Sequence, residues 1–127
     1  MFIISDAHVN EALGNHSAFF HMLRALEKSA EDIVFLGDIF DLWIALPRYE
    51  RAIHHRFLSW CADQKLRRGI GFNEGNHEYF LAPRKGRFFS WCTKGAYWKD
   101  GRGKICCQGG QVERVDSKAR WVRRAGN

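Results

Sequence analysis

The chain has 127 residues, of which 46% are hydrophobic, 27% charged and 14% aromatic, with only 2 Pro. That length suits one domain, and the composition excludes a disordered, collagen-like or low-complexity chain. The formal charge of +6 is unevenly spread: residues 1–83 hold 8 Lys/Arg against 11 Asp/Glu, and residues 84–127 hold 12 against 3. A mildly acidic part is thus followed by a basic one, of a kind that suits phosphate-bearing partners, nucleic acid or an anionic membrane face. No apolar stretch is long enough to span a bilayer and no secretory leader opens the chain, so the expected location is cytoplasmic, peripheral to a membrane at most. The thiols Cys61, Cys92, Cys106 and Cys107 show no C-x-x-C spacing and read as free thiols of a reducing compartment.

In chain order, Phe2-Ile3-Ile4-Ser5 reads as a buried strand. Phe19, Met22, Leu23 and Leu26 then recur at helical spacing, in a helix expected to start near Asn15 or Ser17 and to end near Ser29. Ile33-Val34-Phe35-Leu36 is a second buried strand, and the strand–helix–strand unit predicts parallel pairing. Tyr49, Ile53, Phe57 and Trp60 form a second helical stripe after Pro47, running to about Arg68; of the adjacent His54 and His55 only one can face the core, and a surface reading is preferred to a ligand reading. Gly69-Ile70-Gly71-Phe72-Asn73 reads as a third strand. A short helix is expected around Phe88–Trp91, a hairpin from Ala96–Lys99 and Lys104–Cys107, and a helix over Ser117–Arg124. Phe88, Phe89, Trp91, Tyr97, Trp98 and Trp121 alternate with basic residues, which fits either core aromatics or a stacking surface for nucleic acid.

Three polar clusters each follow a predicted strand: Asp6-Ala7-His8, then Gly37-Asp38-Ile39-Phe40-Asp41, then Gly75-Asn76-His77-Glu78. The carboxyl ends of parallel strands share one rim, where ligands bind. Carboxylate, imidazole and amide groups gathered there, without a thiolate, suit a divalent metal such as Mn, Fe or Zn. Gly37 and Gly75 permit a sharp exit from each strand.

These motifs resemble those of the calcineurin-like metallophosphoesterases. The string Gly37-Asp38-Ile39-Phe40-Asp41-Leu42-Trp43 is similar to the branch that contains the UDP-2,3-diacylglucosamine pyrophosphohydrolases, although His77 stands where those enzymes carry Arg. The resemblance implies an α/β fold, a partial metallophosphoesterase-type α/β/β/α sandwich with a parallel or mixed sheet and flanking helices, in one domain whose part 84–127 is basic and divergent. It also implies metal ligands Asp6, His8, Asp38 and Asn76, with His77 facing the substrate phosphate and Asp41 orienting it. Glu78 is expected to support the site rather than to bind metal. Family members continue into a Gly-His and a Gly-His-x-His segment. Here no His follows His77, Gln108 takes the His place and Gly110 the Asp place. The resemblance therefore implies a C-terminally truncated member with one metal site rather than two. The expected activity is hydrolysis of a phosphate ester or pyrophosphate bond in a phosphorylated small molecule or nucleotide-linked substrate. The alternative is a non-catalytic phosphate- or nucleic-acid-binding remnant of that fold.

Overall fold

The computed structural model of the protein describes residues 1–100, 103–108, 111–115 and 121–122, with side chains over residues 1–94. A parallel sheet is built from β1 (Phe2–Ile4), β2 (Ile33–Phe35), β4 (Ile70–Asn73) and β6 (Trp91–Thr93), in the order β1-β2-β4-β6. Helices α1 (His16–Leu26) and α2 (Ala52–Gln64) form the β1-to-β2 and β2-to-β4 crossovers. Both crossovers step the same way across the sheet, so crossovers of one hand place both helices on one face. Register decides what that face buries. Phe2, Ile33 and Ile70 stand side by side, and the next row is Ile4, Phe35, Phe72 and Cys92. All seven belong to the core or pack on it, with Phe19 and Leu23 of α1 and with Phe57, Leu58 and Cys61 of α2. Phe57 lies at the centre, its ring 5.0–6.2 Å from those of Phe19, Phe35, Phe40 and Phe72.

The opposite face carries Ile3, Val34, Gly71 and Trp91 in one row. The Trp91 indole lies across Gly71 so closely that a Cβ there would stand 2.2 Å from it, which is why a glycine interrupts the strand. The expectation that the first strand is buried fails at Ile3, which is 44% exposed, because β1 is an edge strand.

Two short strands were not expected. β3 (Trp43–Ile44) and β5 (Glu78–Tyr79) pair in parallel beside the main sheet, Trp43 opposite Glu78. α3 (Leu81–Lys85) and a single 3-10 turn at Gly86–Phe88 follow, and the chain enters β6 at Trp91. The helix expected around Phe88–Trp91 is therefore a turn and a strand. Phe89 is buried, Phe88 packs on the core and Trp91 covers Gly71, so these three aromatics serve packing. The expected hairpin is present as β7 (Gly95–Asp100) and β8 (Gly103–Gln108), with Asp100 opposite Gly103. β9 (Gln111–Val115) and β10 (Trp121–Val122) extend it into an antiparallel sheet of order β10-β9-β8-β7. β10 overturns the helix expected over Ser117–Arg124 at Trp121 and Val122, and the rest of that segment lies outside the described residues. So does Gly110, while Gln108 ends β8. Among the described residues no helix is long and apolar enough to cross a membrane.

α2 also departs from its expected pattern. Pro47 sits in a turn, Leu46 accepting from Tyr49 N–H at 2.9 Å, and the helix starts at Ala52. Its buried residues are His54, Phe57, Leu58, Cys61 and Gln64. The stripe is thus rotated one residue on from the Ile53-based pattern, and this rotation carries His54 inward. His54, expected at the surface, is buried and stacks on Trp43 with ring centroids 5.1 Å apart. Its Nδ1 accepts from the Arg51 backbone N–H at 3.0 Å, closing the first turn. Burial lowers the His54 pKa from the ordinary 6.5, against an opposing hydrogen bond with the Leu42 backbone. The folded state therefore favours neutral His54, and stability falls as pH drops through 6.5, where only the unfolded chain takes up the proton. Denaturation midpoints of the native chain and of His54→Phe, measured between about pH 7.5 and 5.5, should diverge, with the native chain losing more on acidification. Parallel pH profiles would refute the assignment.

Candidate metal centre

The three polar clusters meet at the carboxyl ends of β1, β2 and β4. After Ile4 the chain does not leave the neighbourhood of β2. Asp6 N–H donates to the Gly37 carbonyl at 3.2 Å, His8 N–H to Asp38 at 3.0 Å and Val9 N–H to Ile39 at 2.8 Å. Val9 bridges Phe40 in parallel register, so the 6–9 and 37–41 segments run together past the sheet. Within them Asp6, His8 and Asp38 adopt left-handed backbone angles, with φ of 52°, 45° and 51°. L-residues adopt this region at a cost of about 1–3 kcal/mol each, and such residues gather at functional sites.

The third loop is pressed against the second. Gly37 has φ 88°, and a Cβ there would come within 2.5 Å of the Gly75 nitrogen. A Cβ on Gly75 would come within 2.5 Å of Asp38 Oδ1. The two glycines are thus required by backbone-to-loop contact, a stronger constraint than the sharp exit expected of them. Glu78 fastens the contact. Its buried carboxylate accepts from Asp38 N–H and Ile39 N–H at 2.9 Å each, and from Gly75 N–H at 2.7 Å. Burial raises the Glu78 pKa, and the three N–H bonds only partly oppose this. In return Asp38 Oδ1 accepts from His77 N–H at 3.0 Å.

These contacts bring ligand atoms of Asp6, His8 and Asp38 within 4.8 Å of one another, and likewise those of His8, Asp41 and His77. His8 belongs to both trios, and its ring meets that of His77 edge-on at 5.0 Å. Asn76 is exposed between Gly75 and His77, both of which touch Asp38. Asp41 reaches His77 through its backbone carbonyl, which faces His77 Nδ1, rather than through its carboxylate. That carbonyl is the chief cause of a raised His77 pKa. The Asp41 carboxylate instead accepts from Asn10 Nδ2 at 3.0 Å. Asn15, read as a helix cap, makes no cap bond. Its Nδ2 donates to the His8 carbonyl at 3.0 Å, and its Oδ1 accepts from Asn10 N–H at 2.7 Å. Asn10 and Asn15 are positioning residues without a sequence signal beyond their polarity.

The sequence matches the family model for calcineurin-like phosphoesterases over residues 1–123. The chain belongs to the calcineurin-like phosphoesterase family. No curated protein matches it significantly. The parallel sheet with flanking helices agrees with the fold of this family, and the family implies divalent metal binding. The residues fit such an ion. Two carboxylates and an imidazole offer hard and borderline donors. Ligand atoms at about 2.0–2.2 Å from one ion lie within about 4.4 Å of each other, close to the spacing of the Asp6, His8 and Asp38 trio.

Gly75→Ala is expected to destabilise the fold by about 1–3 kcal/mol, because the added methyl overlaps backbone and the Asp38 carboxylate rather than a flexible side-chain tip. Glu78→Gln should cost a similar amount, about 1–3 kcal/mol, since its amide hydrogens would face N–H donors. Denaturant titration of both variants checks this, and native-like midpoints would show the loop contact to be dispensable.

Proposed function

We propose that the protein is a metal-dependent phosphoesterase that hydrolyses a phosphate ester or pyrophosphate bond. The supporting observation is the convergence of Asp6, His8 and Asp38, each from a strained left-handed backbone, in a chain of the phosphoesterase family. Asp6, His8 and Asp38 would hold a divalent ion, Mn, Fe or Zn, with Asn76 able to reach it from the third loop. When bound, the ion would polarise the phosphoryl oxygens and acidify an attacking water.

The chain's own residues supply the rest. His77 is anchored at Nδ1 by the Asp41 carbonyl, so its Nε2 is the free atom to meet a phosphoryl or leaving oxygen. In hydrolysis the water oxygen bonds to phosphorus, the bond from phosphorus to the leaving oxygen breaks, and His77 delivers a proton to that oxygen. Asp41, fixed by Asn10, keeps the ring's anchor in place. The second trio of His8, Asp41 and His77 would present the same groups to substrate.

The substrate in this reading is a phosphorylated small molecule or nucleotide-linked compound, acted on in the cytoplasm. The Gly37–Trp43 string favours the UDP-2,3-diacylglucosamine hydrolase branch, and His77 in place of Arg argues against that substrate. A second reading, a non-catalytic binder of phosphates, nucleic acid or an anionic membrane face, is favoured by the excess of 12 Lys/Arg over 3 Asp/Glu in residues 84–127.

Turnover of bis(4-nitrophenyl) phosphate should vanish with chelator and return with Mn. Asp38→Asn should lose both bound metal and turnover. His77→Ala should keep the metal and lose about 10²–10⁴ in rate. A rate indifferent to chelator, or equal metal content in the native chain and Asp38→Asn, would overturn the proposal. Affinity for single-stranded nucleic acid that falls steeply with salt and ignores chelator would favour the second reading.

A further inference from the structure

A cleft of about 240 Å³ opens beside Asp41, the residue that also belongs to the trio with His8 and His77. Apolar Val9, Leu42, Ile44 and Ile53 line part of it, and polar groups, Arg51 among them, line about as much. Three features set it apart from an ordinary surface dent. Leu42 and Tyr49 are 55% and 51% exposed, so large apolar side chains stand open next to a polar centre, as at binding surfaces. Arg51 is exposed, and its guanidinium makes no hydrogen bond or ion pair with the described residues, while the neighbouring Glu50 is already held by Lys85 at 2.9 Å. The cleft is also rigidly framed. Asn10 holds Asp41, His54 closes the first turn of α2 behind Arg51, and β3 fixes Ile44 against β5.

Resting on the phosphoesterase reading above, we propose that this cleft is the subsite for the organic half of the substrate. That half is a ring-sized, largely apolar group with its own negative charge, which Arg51 reads. The size argues for one ring, since the cleft is smaller than the roughly 300–1,000 Å³ of sites that enclose a whole drug-sized ligand. The charge argues for an anion beside Arg51 only. Glu11 and Asp41 line the same cleft, so a negative group placed elsewhere in it would meet a carboxylate. A phosphoryl group at the trio and a ring over Leu42 and Ile44 then leave the second anion beside Arg51. An apolar patch with one unpaired cation beside it discriminates by charge as well as by shape.

Three uncleavable probes separate these elements: methylphosphonate, benzylphosphonate and 4-carboxybenzylphosphonate, titrated calorimetrically into the Mn-loaded full chain. The native chain should bind them in rising order, with at least about a tenfold step at each addition, a step worth about 1.4 kcal/mol. Arg51→Ala should erase the step given by the carboxylate and retain the step given by the ring. Leu42→Asp should erase the ring step. Thermal denaturation of both variants verifies their folding, and both positions are solvent-exposed. Equal affinity for the three probes, or retention of the carboxylate step in Arg51→Ala, overturns the subsite. Asp38→Asn distinguishes the two proposals. If it leaves methylphosphonate binding intact, the metal-centred reading fails. The ring and carboxylate steps still decide the cleft, because they are differences between probes.

Discussion

The Glu78 carboxylate accepts three backbone N–H groups, two from the loop after β2 and one from the loop after β4, in a place closed to water. No cation stands against it among the described contacts, so peptide dipoles alone offset its burial. This arrangement is costly unless every lone pair is used in the right direction. The compensation is positional. With Gly37 and Gly75 in backbone contact, the carboxylate locks Asp38 into a left-handed turn and aims its side chain at the 6–8 loop. Three other contacts of the site depend on that placement: His77 N–H on Asp38, His8 N–H on the Asp38 carbonyl, Asp6 N–H on Gly37.

A second set of contacts connects this corner to the helices. Trp43 lies in β3 opposite Glu78 and is fully buried. Its indole N–H donates to Glu50 at 3.2 Å, and Glu50 is paired with Lys85 of α3. Burial alone would raise the Glu50 pKa, but Lys85 and Trp43 more than reverse it and hold the carboxyl below its ordinary value. One face of Trp43 stacks on His54 and its edge meets Phe40 and Phe57. The two-stranded β3–β5 unit is therefore anchored on its Trp43/Glu78 face, while Ile44 and Tyr79 turn to the other side. The same alternation places Leu42 and His77 on the outward side, which is how the apolar side chains of the cleft come to border the polar centre.

Much of this architecture was legible in residue order. The apolar runs at residues 2–5, 33–36 and 69–73 are continuous because parallel strands are buried by their crossovers, and the polar clusters stand at their carboxyl ends because that rim is the open one. β3 and β5 were not legible. Each is two residues long, and their pairing partner lies more than thirty residues away, so no periodicity exists to detect. His54 was misplaced because its stripe is rotated by a single residue, a shift that only packing against Trp43 reveals. The Glu78 clamp was legible only in part. A supporting role was expected for Glu78, but its three N–H partners follow only from the close approach of Gly37 to Gly75. From α3 onward local signals weaken, and the expected helical patterns gave way to strand at Trp91 and at Trp121 and Val122, where β-pairing overrode them.

The left-handed residues distinguish a centre built for its side chains from one built for its turns. Glycine takes positive φ freely at Gly14 and Gly37, and outside the site the non-glycine Phe80 does so at φ 65°. Asp38, immediately after Gly37, adopts φ of 51° with a carboxylate attached, and Asp6 and His8 do the same at 52° and 45°. Glycine at any of the three would meet the backbone requirement at lower cost. Turn geometry therefore explains the angles but not the residues that occupy them. What the three share is a metal-capable atom within 4.8 Å of the other two. Three of the four non-glycine residues with positive φ among the described residues carry the side chains that converge, and this clustering supports the convergence as what these loops are folded to produce.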